Sequence, residues 1–113
     1  MNFVDTHAHI YLDDFKDDLD QVIETAKSKG ISTILMPAID SSTHTSMLHA
    51  EQIFPGSCRC MMGLHPCSVK DDYQTELAEV QNHLSRRKFV AIGEIGLDFY
   101  WDISFKSQQY DAF

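Results

Sequence analysis

The chain has 113 residues, 43% apolar and 23% charged, with 5 Gly and 3 Pro; that is the size and balance of one globular domain and excludes disordered, collagen-like and low-complexity readings. Its net charge of −8, from 9 basic and 17 acidic residues, argues against a protein that coats nucleic acid over a broad basic face, though not against an enzyme that meets one phosphate through a bound cation. Three Cys are too few for a disulfide framework and point to a reducing compartment, by default the cytoplasm; no apolar run approaches the roughly 18 residues of a membrane span, and no secretory signal opens the chain.

The first apolar pair, Phe3-Val4, reads as a strand. A helix follows, because Phe15, Leu19, Val22, Ile23 and Ala26 make an i, i+4, i+7, i+8, i+11 stripe. Asp13, Asp14, Asp17 and Asp18 crowd its start, and Lys27 and Lys29 precede Gly30 at its end, the signs that a helix dipole and a glycine cap favour. Thr33 to Met36 is the second strand. Its helix is capped by Ser41, Ser42 or Thr43, turns Met47, Leu48, Ala50 and Ile53 inward, and stops at Pro55-Gly56. Cys58 to Met62 is the third strand, and Tyr73, Leu77, Val80 and Leu84 mark the third helix. Phe89 to Ile92 is the fourth strand, and a fourth helix begins near Ser104 and is still running at Phe113.

Strand starts at 3, 33, 58 and 89 make units of about 30 residues, the period of parallel strands with right-handed crossovers. The pattern suits a small open α/β sheet, or equally the first half of a TIM-type (β/α)8 barrel. Where the chemistry sits decides between them. In parallel α/β folds function gathers at the carboxyl ends of strands. There the sequence places His7 and His9 after the first strand, Asp40 after the second, His65 after the third and Glu94 at the end of the fourth.

Each of these has a plain alternative. His7-Ala8-His9 puts two imidazoles on one side of an extended segment, so both reach one cation; or they are loop histidines bonded locally. Asp5, of the same parity, orients a ring or closes a turn. Glu94 sits in Gly93-Glu94-Ile95-Gly96-Leu97-Asp98, where the glycines permit a sharp turn and close approach; otherwise it is a surface carboxylate. His65, in Gly63-Leu64-His65-Pro66, faces a phosphate or its own backbone, and Asp98 bonds a catalytic group or closes the turn. Cys58-x-Cys60 reads as two small buried hydrophobes. Cys67 lies near the site mouth without the marks of a nucleophile, while His44, His49 and His83 are surface or helix-packing residues. Arg86-Arg87-Lys88 ends the third helix on the rim opposite Glu94, as a dipole partner.

Taken together, Asp5-Thr6-His7-Ala8-His9, Gly63-Leu64-His65-Pro66 and Gly93-Glu94-Ile95-Gly96-Leu97-Asp98 resemble the TatD family of metal-dependent hydrolases across nearly the whole chain. Tyr100, and Gln108 or Gln109 ahead of Phe113, fit the same pattern. The GEIGLD stretch favours TatD over the amidohydrolase-type and PHP-type phosphoesterases that also open with H-x-H. The resemblance implies an amidohydrolase-like TIM barrel holding one or two divalent ions, with Mg²⁺, Mn²⁺ and Zn²⁺ left open. It also implies phosphodiester hydrolysis of DNA, of the 3′→5′ exonuclease kind. His7 and His9 would hold one metal, Glu94 would bridge the pair as the catalytic carboxylate, and His65 would sit near the substrate phosphate. Asp5 and Asp98 would stand behind them. The family continues through further strands that supply two more histidines and an aspartate. Residues 1–113 are therefore expected to be the amino-terminal half of one barrel, interrupted in its fourth helix. If the chain is complete as it stands, the alternative is an incomplete half-barrel that binds metal weakly or self-associates through its open strand edges.

Overall fold

A computed structural model describes residues 1–113. Four strands, β1 (Phe3–Asp5), β2 (Ile31–Pro37), β3 (Cys58–Met62) and β4 (Ala91–Ile92), alternate with four helices, α1 (Leu19–Ser28), α2 (Ser41–Ile53), α3 (Tyr73–Arg86) and α4 (Lys106–Ala112). All strand pairs are parallel and the sheet order is β1-β2-β3-β4. That order decides between the two architectures. An open doubly wound sheet reverses its strand order at a switch point, whereas a barrel adds each strand beside the last. The chain is half of a barrel.

The pleat separates two faces. Ile34, Met36, Cys58, Cys60 and Met62 point toward the helices and are buried there with Ile23, Met47, Ala50 and Val80. Each fully buried Met or Ile contributes roughly 1.5–3 kcal/mol over its exposed state. On the opposite face Arg59 is exposed, and Thr33, Leu35 and Met61 are only half-buried. Burial pushes the thiols of Cys58 and Cys60 up to about 11 and about 12, with the nearby Glu51 charge adding to it. They are neutral core side chains.

Several boundaries differ from the sequence expectation. Phe15 belongs to a single 3-10 turn, Asp13–Phe15, and α1 starts only at Leu19. Helix α2 is capped by Asp40, ahead of the expected Ser41, Ser42 or Thr43; Asp40 Oδ1 accepts from the Ser42 backbone and hydroxyl, and Thr43 completes a reciprocal box. Ser68 donates to the other carboxylate oxygen, so the Asp40 carboxylate is spent on structure. Burial works against its ionisation, but the Ser42 and Ser68 hydrogen bonds outweigh it and hold the carboxyl below its ordinary value. The inward face of α2 is His44, Met47 and Ala50, while Ile53 is exposed. His44 is buried edge-on to His83, ring centroids 5.0 Å apart. Burial and that neighbour keep its pKa low, so the ring is neutral.

Strand β4 is shorter than expected because its start is tied down by side chains. Glu51 of α2 accepts the Cys60 backbone N–H at 2.8 Å, taking the place of a ladder partner, and pairs with Arg87, whose guanidinium also lies 4.3 Å over the Phe89 ring. Arg87 thus links α2, α3 and the approach to β4 in place of the helix-dipole role expected of it.

Candidate metal centre

The carboxyl ends of the strands bring three side chains to one point. Beyond β1 the backbone stays extended, held by Ala8 N–H on the Leu35 carbonyl and by His7 N–H on Asp5 Oδ1. His7 and His9 therefore project from one edge, with Nε2 atoms 3.1 Å apart. Glu94 comes from the far side of the sheet. The Gly93-Glu94 backbone crosses over the end of β3 and exchanges two hydrogen bonds with Ala38, which follows β2. This crossing needs Gly63: a Cβ there would lie 2.6 Å from the Glu94 carbonyl oxygen and 2.8 Å from the Gly93 carbonyl carbon. Glu94 is thereby set beside residues that start three strands away.

Hydrogen bonds fix the protons. Tyr11 donates its hydroxyl hydrogen to the Pro37 carbonyl at 2.6 Å, so its oxygen must accept from His9 Nδ1, 2.9 Å away. His9 then carries its proton on Nδ1 and turns a bare lone pair on Nε2 toward the site, the arrangement a metal-ligating histidine adopts. Burial and the adjacent His7 ring lower its pKa, which keeps the ring neutral. His65 has the opposite tautomer. Its Nδ1 accepts the Cys67 backbone N–H at 3.0 Å, so Nε2 bears the hydrogen and donates it to Glu94 Oε1 at 3.1 Å. As a donor, His65 steers an anion and does not ligate through that atom.

Glu94 Oε2 is buried and has no hydrogen-bond partner, although His7 Nε2 and His9 Nε2 stand 3.3 and 3.6 Å from it. The His9 Nε2 lone pair and Glu94 Oε2 face each other across His7 Nε2, whose hydrogen bonds to His9 at 3.1 Å; a cation takes the place of that hydrogen and meets both electron-pair donors at once. Of the three separations, 3.1 and 3.3 Å fall within, and 3.6 Å just above, the ligand–ligand spacing of about 3.0–3.4 Å that bonds of about 2.1 Å impose in octahedral or tetrahedral shells. His7, His9 and Glu94 thus fit a divalent cation. Replacing Tyr11 with Phe frees the His9 tautomer, and we expect metal affinity to fall about 10- to 100-fold with the fold retained; calorimetric titration with Mn²⁺ reads this, and unchanged affinity would dismiss the hydroxyl.

The remaining sequence candidates sit one step back. Asp5 holds the His7 backbone and touches no ring nitrogen. Asp98 receives the Tyr100 N–H and the Cys67 thiol on its carboxylate, and its backbone exchanges two hydrogen bonds with the buried Gln109 amide. Its carboxylate reaches His65 only through Cys67. Sequence reasoning misses Tyr11, Ala38 and Gly63 as contributors to the site. Tyr11 and Gly63 leave a signal there: Tyr11 continues the i, i+2 parity of His7 and His9, and Gly63 opens the turn that carries His65.

A family model described as TatD related DNase matches residues 4–113. The chain belongs to the TatD family. It is 34% identical over 109 residues to an uncharacterized metal-dependent hydrolase, YabD, of Bacillus subtilis, covering 96% of this chain and 42% of that protein. It is 36% identical over 101 residues to the 3′-5′ ssDNA/RNA exonuclease TatD of Pectobacterium parmentieri, covering 88% of this chain and 38% of that protein. The crystal structure of the TatD homologue YjjV from Escherichia coli superposes with a TM-score of 0.85 at 31% identity, over 97% of this chain and 43% of that one. This TatD-family chain therefore spans about two fifths of the length of the relatives it matches, and its half-barrel is shared with the YjjV structure.

Proposed function

We propose that this half-barrel forms part of a metal-dependent phosphodiesterase acting on DNA, in a reducing compartment such as the cytoplasm, where its three free cysteines stay reduced. The observation that carries the reading is the buried, unpartnered Glu94 Oε2 facing two imidazoles at metal-ligand spacing. His7 and His9 would hold one divalent ion and Glu94 would share it or bridge to a second. When bound, such ions supply positive charge for the nonbridging phosphate oxygens and ease the deprotonation of water near neutral pH. The chain's own part is orientation. His65 Nε2–H is the hydrogen-bond donor aimed at negative charge beside Glu94, so a phosphate oxygen can take over that hydrogen. Tyr11 keeps His9 in the ligand tautomer, and Ala38 holds the Glu94 backbone in place.

The names of relatives agree with this chemistry, since several are called ssDNA/RNA exonucleases or deoxyribonucleases. Exonucleolytic 3′→5′ polarity is part of the proposal on that footing. The test is hydrolysis of a simple phosphodiester and of end-labelled single-stranded DNA by the whole protein, with Mg²⁺, Mn²⁺ and Zn²⁺ added in turn after chelation. Metal-dependent turnover that shortens DNA from the 3′ end supports it. Turnover that is absent with every metal, or that survives chelation undiminished, overturns it.

A further inference from the structure

We infer that the cavity between the turn after β3 and the loop after β4 is a nucleobase subsite, with Trp101 as its stacking platform. The inference rests on the phosphodiesterase reading above and adds to it where the chain beside the cut phosphate would lie.

The cavity has a volume of about 280 Å³, and Cys67, Lys70, Trp101, Asp102 and Phe105 contribute to its walls. All of them come from the third and fourth β/α units, so this chain builds the cavity by itself. Its size falls just below the roughly 300–1,000 Å³ of sites that take a whole drug-sized ligand; it admits one flat ring system. Its place is set by Cys67, whose backbone N–H is bonded to His65 and whose thiol reaches Asp98. His65 in turn lies 3.1 Å from Glu94. A phosphate at the metal donors therefore has the cavity as its neighbour.

Trp101 is 78% exposed and Tyr100 82%. Neither ring serves the core. Large aromatic rings left in water beside a phosphate-handling site are the platform on which bases stack, whatever their identity. The Tyr100 ring meets the indole nearly perpendicular, at 87° and 4.7 Å between centroids. The loop that presents them is braced at both ends. Asp98 and Gln109 exchange two hydrogen bonds, the Asp98 carboxylate caps Tyr100 N–H, and Asp102 caps Ser104 N–H and pairs with Lys70 at 3.5 Å. A platform held this way loses little freedom when a base lands on it. Lys70 is the one cation on the cavity wall, with Nζ 5.2 Å from the Phe105 ring centre and paired with Asp102, so it braces the wall and the stacking ring carries the binding. Stacking is indifferent to the identity of the base, so the platform accepts purines and pyrimidines alike.

Trp101 is the single tryptophan of this chain, and the emission that is lost in Trp101→Phe isolates the signal of this subsite. The experiment titrates the protein, with Mg²⁺ present, against a single-stranded DNA tetramer with phosphorothioate linkages that resist cleavage, and against an abasic tetramer of the same charge. The expected result is saturable quenching by the DNA and none by the abasic strand. Trp101→Ala should weaken binding of the labelled tetramer about 10-fold while leaving the Mn²⁺ affinity of His7, His9 and Glu94, read by calorimetric titration, unchanged. Unquenched emission, or equal quenching by the abasic strand, overturns the inference. Quenching without any metal-dependent hydrolysis would leave the subsite standing and remove the phosphodiesterase reading; hydrolysis without quenching would do the reverse.

Discussion

Replacing Glu94 with Gln is expected to abolish the thermal stabilisation that a divalent cation gives this protein, while leaving the fold intact. A cation that binds only the folded state at 100 times its Kd adds about 2.7 kcal/mol, which for a chain of this size is a shift on the order of 10 °C in Tm. The shift depends on Glu94 because Oε2 is the only anionic atom facing the His7 and His9 nitrogens. An amide keeps the shape and removes the charge. Its NH₂ group also donates to the lone pair on His9 Nε2, filling the place a cation would take. The metal-free variant should melt at or above the wild type, because a buried oxygen without a hydrogen-bond partner is replaced by a satisfied donor. Hydrolysis by the whole protein should fall at least about 100-fold, the scale of losing one preorganised electrostatic contact. A metal-induced shift that persists in Glu94→Gln would remove Glu94 from the ligand set, and a variant that melts far below the wild type would show that the carboxylate is there for the fold.

The pattern of apolar residues carries most of the architecture. Period-2 and period-3.6 runs place four strands and four helices in the right order, and His7, His9, His65 and Glu94 fall at the carboxyl ends of strands, where barrels and open sheets alike carry function; the observed strand order separates the two. The errors lie where one side chain has two competing uses. Phe15 fits the helical stripe numerically, but the Asp-rich segment around it closes a 3-10 turn first. Asp40 sits at a strand end like a functional carboxylate, yet the Ser42 backbone and the Ser42 and Ser68 hydroxyls absorb it. Arg87 reads as a helix-terminal charge until Glu51, 36 residues away, is seen to meet it. The pairing of Glu94 with Ala38 is illegible for a deeper reason. It is a backbone contact between strands that are not neighbours in the sheet, and no side-chain pattern encodes it. Only Gly63 marks it, and a lone glycine in a turn has many ordinary causes.

That glycine gives the second large effect. Gly63→Ala is expected to cost about 1–3 kcal/mol of stability, the range for forcing a methyl group into packed surroundings, and to weaken metal binding about 10- to 100-fold. The atoms a Cβ would strike are the Gly93 carbonyl and the Glu94 carbonyl oxygen, all of them backbone. No rotamer change relieves such a clash. Either the Gly93-Glu94 crossing lifts away, breaking its two hydrogen bonds to Ala38, or the start of the His65 turn shifts. The first outcome withdraws Glu94 from His7 and His9, and the second moves the donor on Oε1. Gly56→Ala separates this from simple backbone strain. Gly56 has φ +86°, and a methyl group added there would meet nothing within 4 Å, so it loses about 1–2 kcal/mol to the left-handed conformation without touching the site. Equal stability losses in the two variants, with metal affinity reduced only in Gly63→Ala on calorimetric titration, would establish that the crossing positions Glu94. Undiminished affinity in Gly63→Ala would mean that the carboxylate reaches the histidines by a route other than the contact with Ala38.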